Sequence, residues 1–380
     1  MNAEKHDRET AEFLTAVYEV SGPEKEARAR AERICLDQTI EAEADLLAPP
    51  LRGNIVGHLE QVRRVSSGHY EVVIRYAGDL VGKEHSDLLN LVFGMSSLRQ
   101  DVRLISFSLT HGLLSLWRGP RSGIAGLRRA VGVVDRPLVC AVLKPLGRSS
   151  AELAKLAAHC VRGGADLIKD DQALLDQPFC PFTERVTRCG EAIAEASSRR
   201  GRPCLYFPHV SGAVDTMHRR AREAKRLGAT GLLIAPGLTG FDALRTVAED
   251  EGLALPIASH PTFLGTCASR HGRGLAPPVA YALLPRLAGA DMAIYPSFDA
   301  GYNMPRNACV SVAVNCRQAW DHVRPSMPAV GGRISVDRIG NVIGALGRDI
   351  ILVLGSRIQE NERGVVAALE RFQRALARSL

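Results

Sequence analysis

From residue 138 onward, short apolar runs alternate with longer segments in which apolar residues recur every three or four positions. The runs are Leu138–Leu143, Asp166–Ile168, Cys204–Phe207, Gly231–Ala235, Pro256–Ala258, Met292–Tyr295, Met327–Val330 and Ile350–Leu354. Such continuous short runs are how strands covered on both faces read. Between them, Ala151–Cys160, Thr183–Ser197, Val214–Leu227, Asp242–Glu249, Ala308–Val323 and Val336–Leu346 carry one apolar stripe each and predict helices. Eight strand–helix units in succession predict a (β/α)8 barrel. A doubly wound open sheet would normally use fewer repeats and open with a Gly-rich phosphate turn after its first strand.

The residues before the barrel lack that rhythm. Glu12–Val20 alternates as a strand, and Glu24–Ile34 has helical spacing among its charges. Ile55–Val65 and Tyr70–Tyr76 flank Ser66-Ser67-Gly68 as a predicted hairpin, Ser86–Met95 reads as a helix and Val102–Leu109 as a strand. Together these predict a small sheet backed by helices, an α+β domain. Gly119-Pro120-Arg121-Ser122-Gly123 marks a boundary, which puts an α+β domain at 1–120 and the barrel at 121–380, entered through a short helix, Ile124–Val131.

Composition narrows the classes of function. No apolar run reaches the length of a membrane span, and Met1–Thr10 is charged, without the apolar core of a signal peptide; a cytoplasmic protein with no membrane partner is expected. Nine cysteines are scattered and never spaced as Cys-x-x-Cys, which predicts reduced, mostly buried thiols and no zinc site. The net charge of +7 is carried by arginines spread along the chain, without a basic tract or basic–aromatic interleaving. It suits an anionic small substrate and gives no sign of a nucleic-acid partner.

Candidate chemistry collects at the strand ends. In Gly163-Gly164-Ala165-Asp166-Leu167-Ile168-Lys169-Asp170-Asp171-Gln172 an apolar strand runs into a lysine and two carboxylates. Alternation points Lys169 and Asp171 one way and Asp170 the other, so Asp170 is expected to stabilise the barrel. Catalytic groups of a barrel sit at the C-terminal ends of its strands. The polar residues there are Lys144, Lys169 with Asp171 and Gln172, His209, His260, Ser297 with Asp299, Gly331-Gly332-Arg333, and Gly355-Ser356-Arg357. Only seven lysines occur (5, 25, 83, 144, 155, 169, 225), and two of them end the first two barrel strands. That concentration favours a shared site over an ordinary surface ion pair. Blander readings stand beside the others: core histidines at 209 and 260, turn chemistry at Gly331-Gly332, and a solvated loop at Arg270, His271 and Arg273.

These residues resemble the large subunit of RuBisCO. The likeness runs from Asn90-Leu91-Val92-Phe93-Gly94 and Gly119-Pro120-Arg121 through Leu143-Lys144-Pro145-Leu146-Gly147, the Lys169-Asp170-Asp171 strand end and Gln177-Pro178-Phe179 to Gly331-Gly332. Leu205-Tyr206-Phe207-Pro208, Ala235-Pro236-Gly237-Leu238-Thr239-Gly240 and Ser259-His260-Pro261-Thr262-Phe263-Leu264-Gly265 look like the RuBisCO-like proteins (form IV), homologues that do not fix CO2. The resemblance implies an N-terminal α+β (ferredoxin-like) domain on a TIM barrel, paired as a homodimer with active sites shared between subunits. It implies CO2 taken up as a carbamate on Lys169, Mg2+ held by Lys169, Asp171 and the residue at 172, Lys144 next to the substrate carbon that loses its proton, and His260 at the fifth strand end. Asn90 and Thr39 match residues donated across the dimer, and Gly331, Gly332 and Gly355 match positions whose backbone N–H groups hold a phosphate.

Three departures shape the expected function. The third metal ligand, a glutamate in the carboxylases, is Gln172 here, which removes one negative charge from an Mg2+ site and weakens it. The carboxylases hold CO2 with a lysine on the loop after strand six, where this chain reads Tyr295-Pro296-Ser297-Phe298-Asp299-Ala300-Gly301 and has no lysine beyond Lys225. That argues against carboxylation of ribulose bisphosphate. The second lysine of the strand-one motif is absent, and the glycines after strand eight have become Gly355-Ser356-Arg357, with Arg333 or Arg357 able to supply a charged fork instead. The resemblance implies an enzyme, an isomerase or lyase, that enolises a phosphorylated ketose of the 5-methylthioribulose 1-phosphate type, as in methylthioadenosine salvage. The alternatives are a decarboxylase of a phosphorylated 3-oxo acid such as 3-oxoisoapionate 4-phosphate, and a non-catalytic scaffold.

Overall fold

Alternation decides the N-terminal sheet. In β1 (Phe13–Ser21) the side chains of Leu14, Ala16, Tyr18 and Val20 are buried, and the residues between them are not. β2 (His58–Ser66) and β3 (His69–Ala77) form the hairpin, and β4 (Val102–Leu109) lies on the other side of β1, all antiparallel. Tyr18 and Tyr76 meet on the buried face with hydroxyls 2.9 Å apart, and the Tyr18 hydroxyl donates to the Val92 carbonyl of helix His85–Phe93. The computed structural model describes residues 12–268, 272–298, 301–302, 304–332, 334–355 and 364–380.

Five short parallel strands follow: β5 (Leu138–Leu143), β6 (Leu167–Asp170), β7 (Leu205–Phe207), β8 (Leu232–Ile234) and β9 (Ile257–Ser259). The chain then leaves the barrel. β10 (Gly274–Leu275) pairs in parallel with Arg103 and Leu104 of β4, before β11 (Met292–Pro296), β12 (Met327–Gly331) and β13 (Ile351–Leu354) complete the second sheet. Its order is β7-β6-β5-β13-β12-β11-β9-β8. The two ends meet where Gly231 donates to Tyr206 and where the Leu233 amide and carbonyl bond Pro208 and Val210. Gly231 is obligatory there, since a Cβ would lie 2.3 Å from the Phe207 ring. The result is the eight-stranded barrel that the apolar runs predict.

Two compact units result. One takes the chain up to Trp117 together with Gly265–Ala280, the other Arg118–Leu264 with Tyr281–Leu380. The loan of Gly265–Ala280 to the first unit departs from the single boundary after residue 120.

Three elements differ from the sequence reading. The hairpin's first strand begins at His58, not Ile55, because Pro49 and Pro50 open a helix that runs to Ile55. The helix expected over 308–323 is Arg306–Arg317. The wholly buried Arg286 guanidinium stops it, donating to the carbonyls of Asn315, Gln318, Val323 and Arg324. A final helix, Val365–Arg378, packs Leu369 and Val366 against Gly163, where a Cβ would sit 2.7 Å from Leu369. Gly164, at φ +99°, then turns the chain from helix Ser150–Arg162 into β6. All nine thiols are free and only Cys267 is exposed. No helix among the described residues is long and apolar enough to cross a membrane.

Candidate active site

Strand parity assembles the site. Leu138, Cys140, Val142, Leu167, Leu205, Phe207, Leu233, Ala258, Met292, Ile294, Met327, Ala329, Ile351 and Val353 form one buried cluster, the barrel interior, with Leu127 and Val131 of helix Gly123–Val131 joining it. Continuing the same parity to the C-terminal ends of β5, β6, β7, β9, β12 and β13 and just beyond them names Lys144, Lys169, Asp171, His209, His260, Gly331 and Gly355. Their positions at the C-terminal ends follow from the period of two alone.

Lys144 is half-buried, with Nζ 2.9 Å from Asp171 Oδ2. The Asp171 side chain is almost wholly enclosed; its Oδ1 accepts the Ala173 amide at 3.0 Å, while Oδ2 accepts no hydrogen bond of good geometry. Lys169 is 2 % exposed and donates from Nζ to the Asp170 carbonyl at 3.0 Å. Burial holds the Lys169 amine below the usual lysine range; the Cys140 thiol and Asp171 oppose the shift and Lys144 reinforces it. The shift favours loss of the proton, and the neutral amine is the form that adds to CO2.

Asp170 faces the other way, as alternation requires. Wholly buried, it accepts Arg185 Nε and the His209 amide on Oδ2 at 3.1 Å each, and the Tyr206 hydroxyl on Oδ1 at 3.0 Å. Arg185, from helix Phe182–Arg200, spends its other nitrogens on the Cys180 and Leu175 carbonyls. Asp170 thereby bolts β6 to β7 and to the helix behind them, which fixes the direction in which Lys169 and Asp171 emerge.

Both histidines are neutral by construction. His209 is fully buried; Nε2 lies 2.8 Å from Ser211 Oγ, which accepts the Ala235 amide. Burial, with Lys169 and Arg185 adding to it, brings the His209 imidazole down to about 3, and the Leu174 carbonyl opposes the shift without lying in line for a hydrogen bond to Nδ1. His260 accepts the Thr262 amide on Nδ1 at 3.3 Å, with Thr262 Oγ1 at 2.7 Å. An amide can only donate, so the neutral ring carries its proton on Nε2. Burial, then the charges of Lys169 and Lys144 with His209 between them in effect, holds His260 well below the usual histidine range.

The glycines flank neighbouring strand ends. β12 and β13 pair through Gly331 and Val353; Gly332 takes φ +100°, and a Cβ on Gly355 would meet nothing within 4 Å. Ser297, after β11, donates its amide to the Gly331 carbonyl at 2.9 Å and keeps a buried hydroxyl without a partner. Asn90 is exposed on helix His85–Phe93 of the first unit, where its backbone carbonyl accepts Gln38 Nε2, and Thr39 caps the Cys35 carbonyl. Arg333, Ser356, Arg357, Asp299, Arg270 and His271 lie outside the described residues. Gln172 is half-buried beside Asp171.

The donor set can be weighed against the implied Mg2+. Among the described residues no three His, Cys, Asp or Glu side chains converge on one point. Asp171 Oδ2, a buried oxygen with no hydrogen bond, is nevertheless what a hard cation needs, and a carbamate on Lys169 would add a second anionic oxygen donor. The residues therefore fit a cation held by two anionic groups, Asp171 and a carbamate on Lys169. Sequence reasoning passed over Ser211, Arg185 and Tyr206. The parity that marks His209 also marks Ser211, but Arg185 and Tyr206 declare their role only through their meeting at Asp170.

Comparison with known proteins identifies the family. Residues 123–377 match the family described as "Ribulose bisphosphate carboxylase large chain, catalytic domain". The chain is 33% identical over 350 residues to ribulose bisphosphate carboxylase-like protein 1 of Rhodopseudomonas palustris, covering 92% of this chain and 93% of that one. It is 33% identical over 349 residues to the 5-methylthioribulose-1-phosphate isomerase of Rhodospirillum rubrum, covering 91% of each. The crystal structure of a Rubisco-like protein from Rhodopseudomonas palustris superposes with a TM-score of 0.88 at 30% identity, over 97% of this chain and 98% of that one. With the barrel, the lysine pair and the Lys-Asp-Asp strand end already in place, the chain belongs to the ribulose bisphosphate carboxylase large-chain family, among its RuBisCO-like members.

Proposed function

We propose that the protein enolises a phosphorylated ketose and moves a proton between neighbouring carbons, as in isomerisation of a 5-methylthioribulose 1-phosphate type of substrate, without fixing CO2. The observation that carries this is the convergence of Lys144, Lys169 and Asp171 at the barrel mouth, with Lys144 Nζ 2.9 Å from Asp171 Oδ2. The name of the Rhodospirillum rubrum relative supports the substrate class.

Lys144, the more exposed of the two lysines, takes the proton from the carbon next to the substrate carbonyl and returns it to the adjacent carbon. His260 offers Nε2–H to a substrate oxygen and, being neutral, does so without giving up its proton. The open space over Gly355, beside Gly331 on the neighbouring strand end, admits a phosphate close to backbone N–H groups, with the buried Ser297 hydroxyl at the end of the next strand. Mg2+ held by carbamylated Lys169, Asp171 and Gln172 would supply charge for the developing enolate oxygen. Asn90 and Thr39 belong to a second copy's contribution in a homodimer with shared sites.

The test is proton exchange. Incubated in D2O with 5-methylthioribulose 1-phosphate, Mg2+ and bicarbonate, the protein should incorporate deuterium at the carbon next to the carbonyl, read by proton NMR, and Lys144→Ala should lose the exchange. No incorporation by the wild type refutes the isomerase reading; CO2 release from 3-oxoisoapionate 4-phosphate would replace it with decarboxylation.

A further inference from the structure

Asp171 and Lys144 differ in how firmly they are held. Asp171 cannot withdraw: Oδ1 is tied to the Ala173 amide, the backbone carbonyl accepts the Leu174 amide at 3.0 Å, and the side chain is 7% exposed. Lys144 can, because its side chain is 35% exposed and hangs from a flexible four-carbon stem. The anion is fixed and its present cation is removable. Lys169, the other amine of the site, already has an acceptor in the Asp170 carbonyl and does not compete for Oδ2. An amide at 172 in place of a carboxylate leaves one anionic group fewer to hold both cations at once.

Building on the reading above, we propose that Lys144 and a divalent cation are alternative occupants of Asp171 Oδ2, so that loading a cation there releases Lys144 from its carboxylate. Lys144 then has two roles: resident counter-ion of an unloaded site, and proton carrier once displaced. While Nζ rests 2.9 Å from Asp171 Oδ2 it is held away from a substrate carbon, and the displacement frees it to reach one only when the site is ready to stabilise an enolate. The unloaded protein is thereby kept from abstracting protons unproductively.

Calorimetric titration of Mg2+ in bicarbonate, with the wild type, Lys144→Met and Asp171→Asn, tests this. Lys144→Met keeps the length of the side chain and removes the competing charge, so it should bind Mg2+ about tenfold more tightly than the wild type, while Asp171→Asn should not bind. A melting curve for each variant establishes that it is folded; Lys144→Gln serves if Lys144→Met is not. Equal or weaker Mg2+ binding by the lysine variants, or none by any of the proteins, overturns the proposal. The exchange assay separates the two claims: exchange by the wild type with unchanged Mg2+ affinity in Lys144→Met defeats the competition and leaves the isomerase, whereas tighter binding with no exchange does the reverse.

Discussion

Asp170→Asn tests whether the strand end is held as described. The substitution keeps the shape and removes one charge. An asparagine oxygen can still take both Arg185 Nε and the His209 amide in place of Oδ2, and its NH2 can face the Tyr206 hydroxyl, which rotates to accept. What is lost is the buried carboxylate that pairs with a guanidinium itself wholly buried. Stranding a buried charge in this way costs about 3–5 kcal/mol. Replacing both partners removes the stranded charge, so Asp170→Asn combined with Arg185→Met should recover much of the loss, less the bonds Arg185 makes to the Cys180 and Leu175 carbonyls. Calorimetric melting reads it: the single variant should melt roughly 10 °C lower, at about 2–4 °C per kcal/mol for a unit of this size. A single variant within about 1 kcal/mol of the wild type, or a double variant no better than the single, would show that the charge on Asp170 is not what holds β6 in place.

Two further outcomes follow from the same groups. Lys169→Met should melt at or above the wild-type temperature, since a buried amine is replaced by an apolar chain of similar length, while bicarbonate-dependent Mg2+ binding disappears; a clear fall in melting temperature would mean that the amine is needed for the fold. His209 stays neutral in the fold down to about pH 3, but in the unfolded chain it takes a proton below about 6.5. The unfolded state therefore binds more protons between those values, so stability rises with pH across the window and falls as pH drops from 6.5, by about 2 kcal/mol at pH 5 from this group. Urea midpoints at pH 7 and pH 5 should converge in His209→Gln relative to the wild type; an unchanged gap would remove His209 as the cause.

The sequence carries the barrel in its period. Both-face burial turns each strand into an apolar run, and Leu138–Leu143 is recovered to the residue. The Lys169-Asp170-Asp171 division of directions is legible for the same reason, and the outward aspartate does meet a helix residue, Arg185. What is not legible depends on partners distant in sequence. Gly274–Leu275 is a strand only because the edge of β4 is there to receive it, and two residues carry no period. The end of helix Arg306–Arg317 is set by Arg286, an arginine that looks like any other until its carbonyl partners are known. Ser211 follows the inward parity of His209, yet its bond to the Ala235 amide depends on how β8 ends.

The tripeptide at 169–171 also instructs anyone who would redesign this protein. Its outer residues, 169 and 171, can be exchanged for new chemistry with the frame intact, because the middle one alone carries the frame. Saturation libraries should therefore vary 169 and 171 together and leave 170 constant. An insertion or deletion of one residue here would be far more damaging than any substitution: it would present Lys169 to the buried Arg185 and bring the aspartate meant for the frame into the mouth of the barrel.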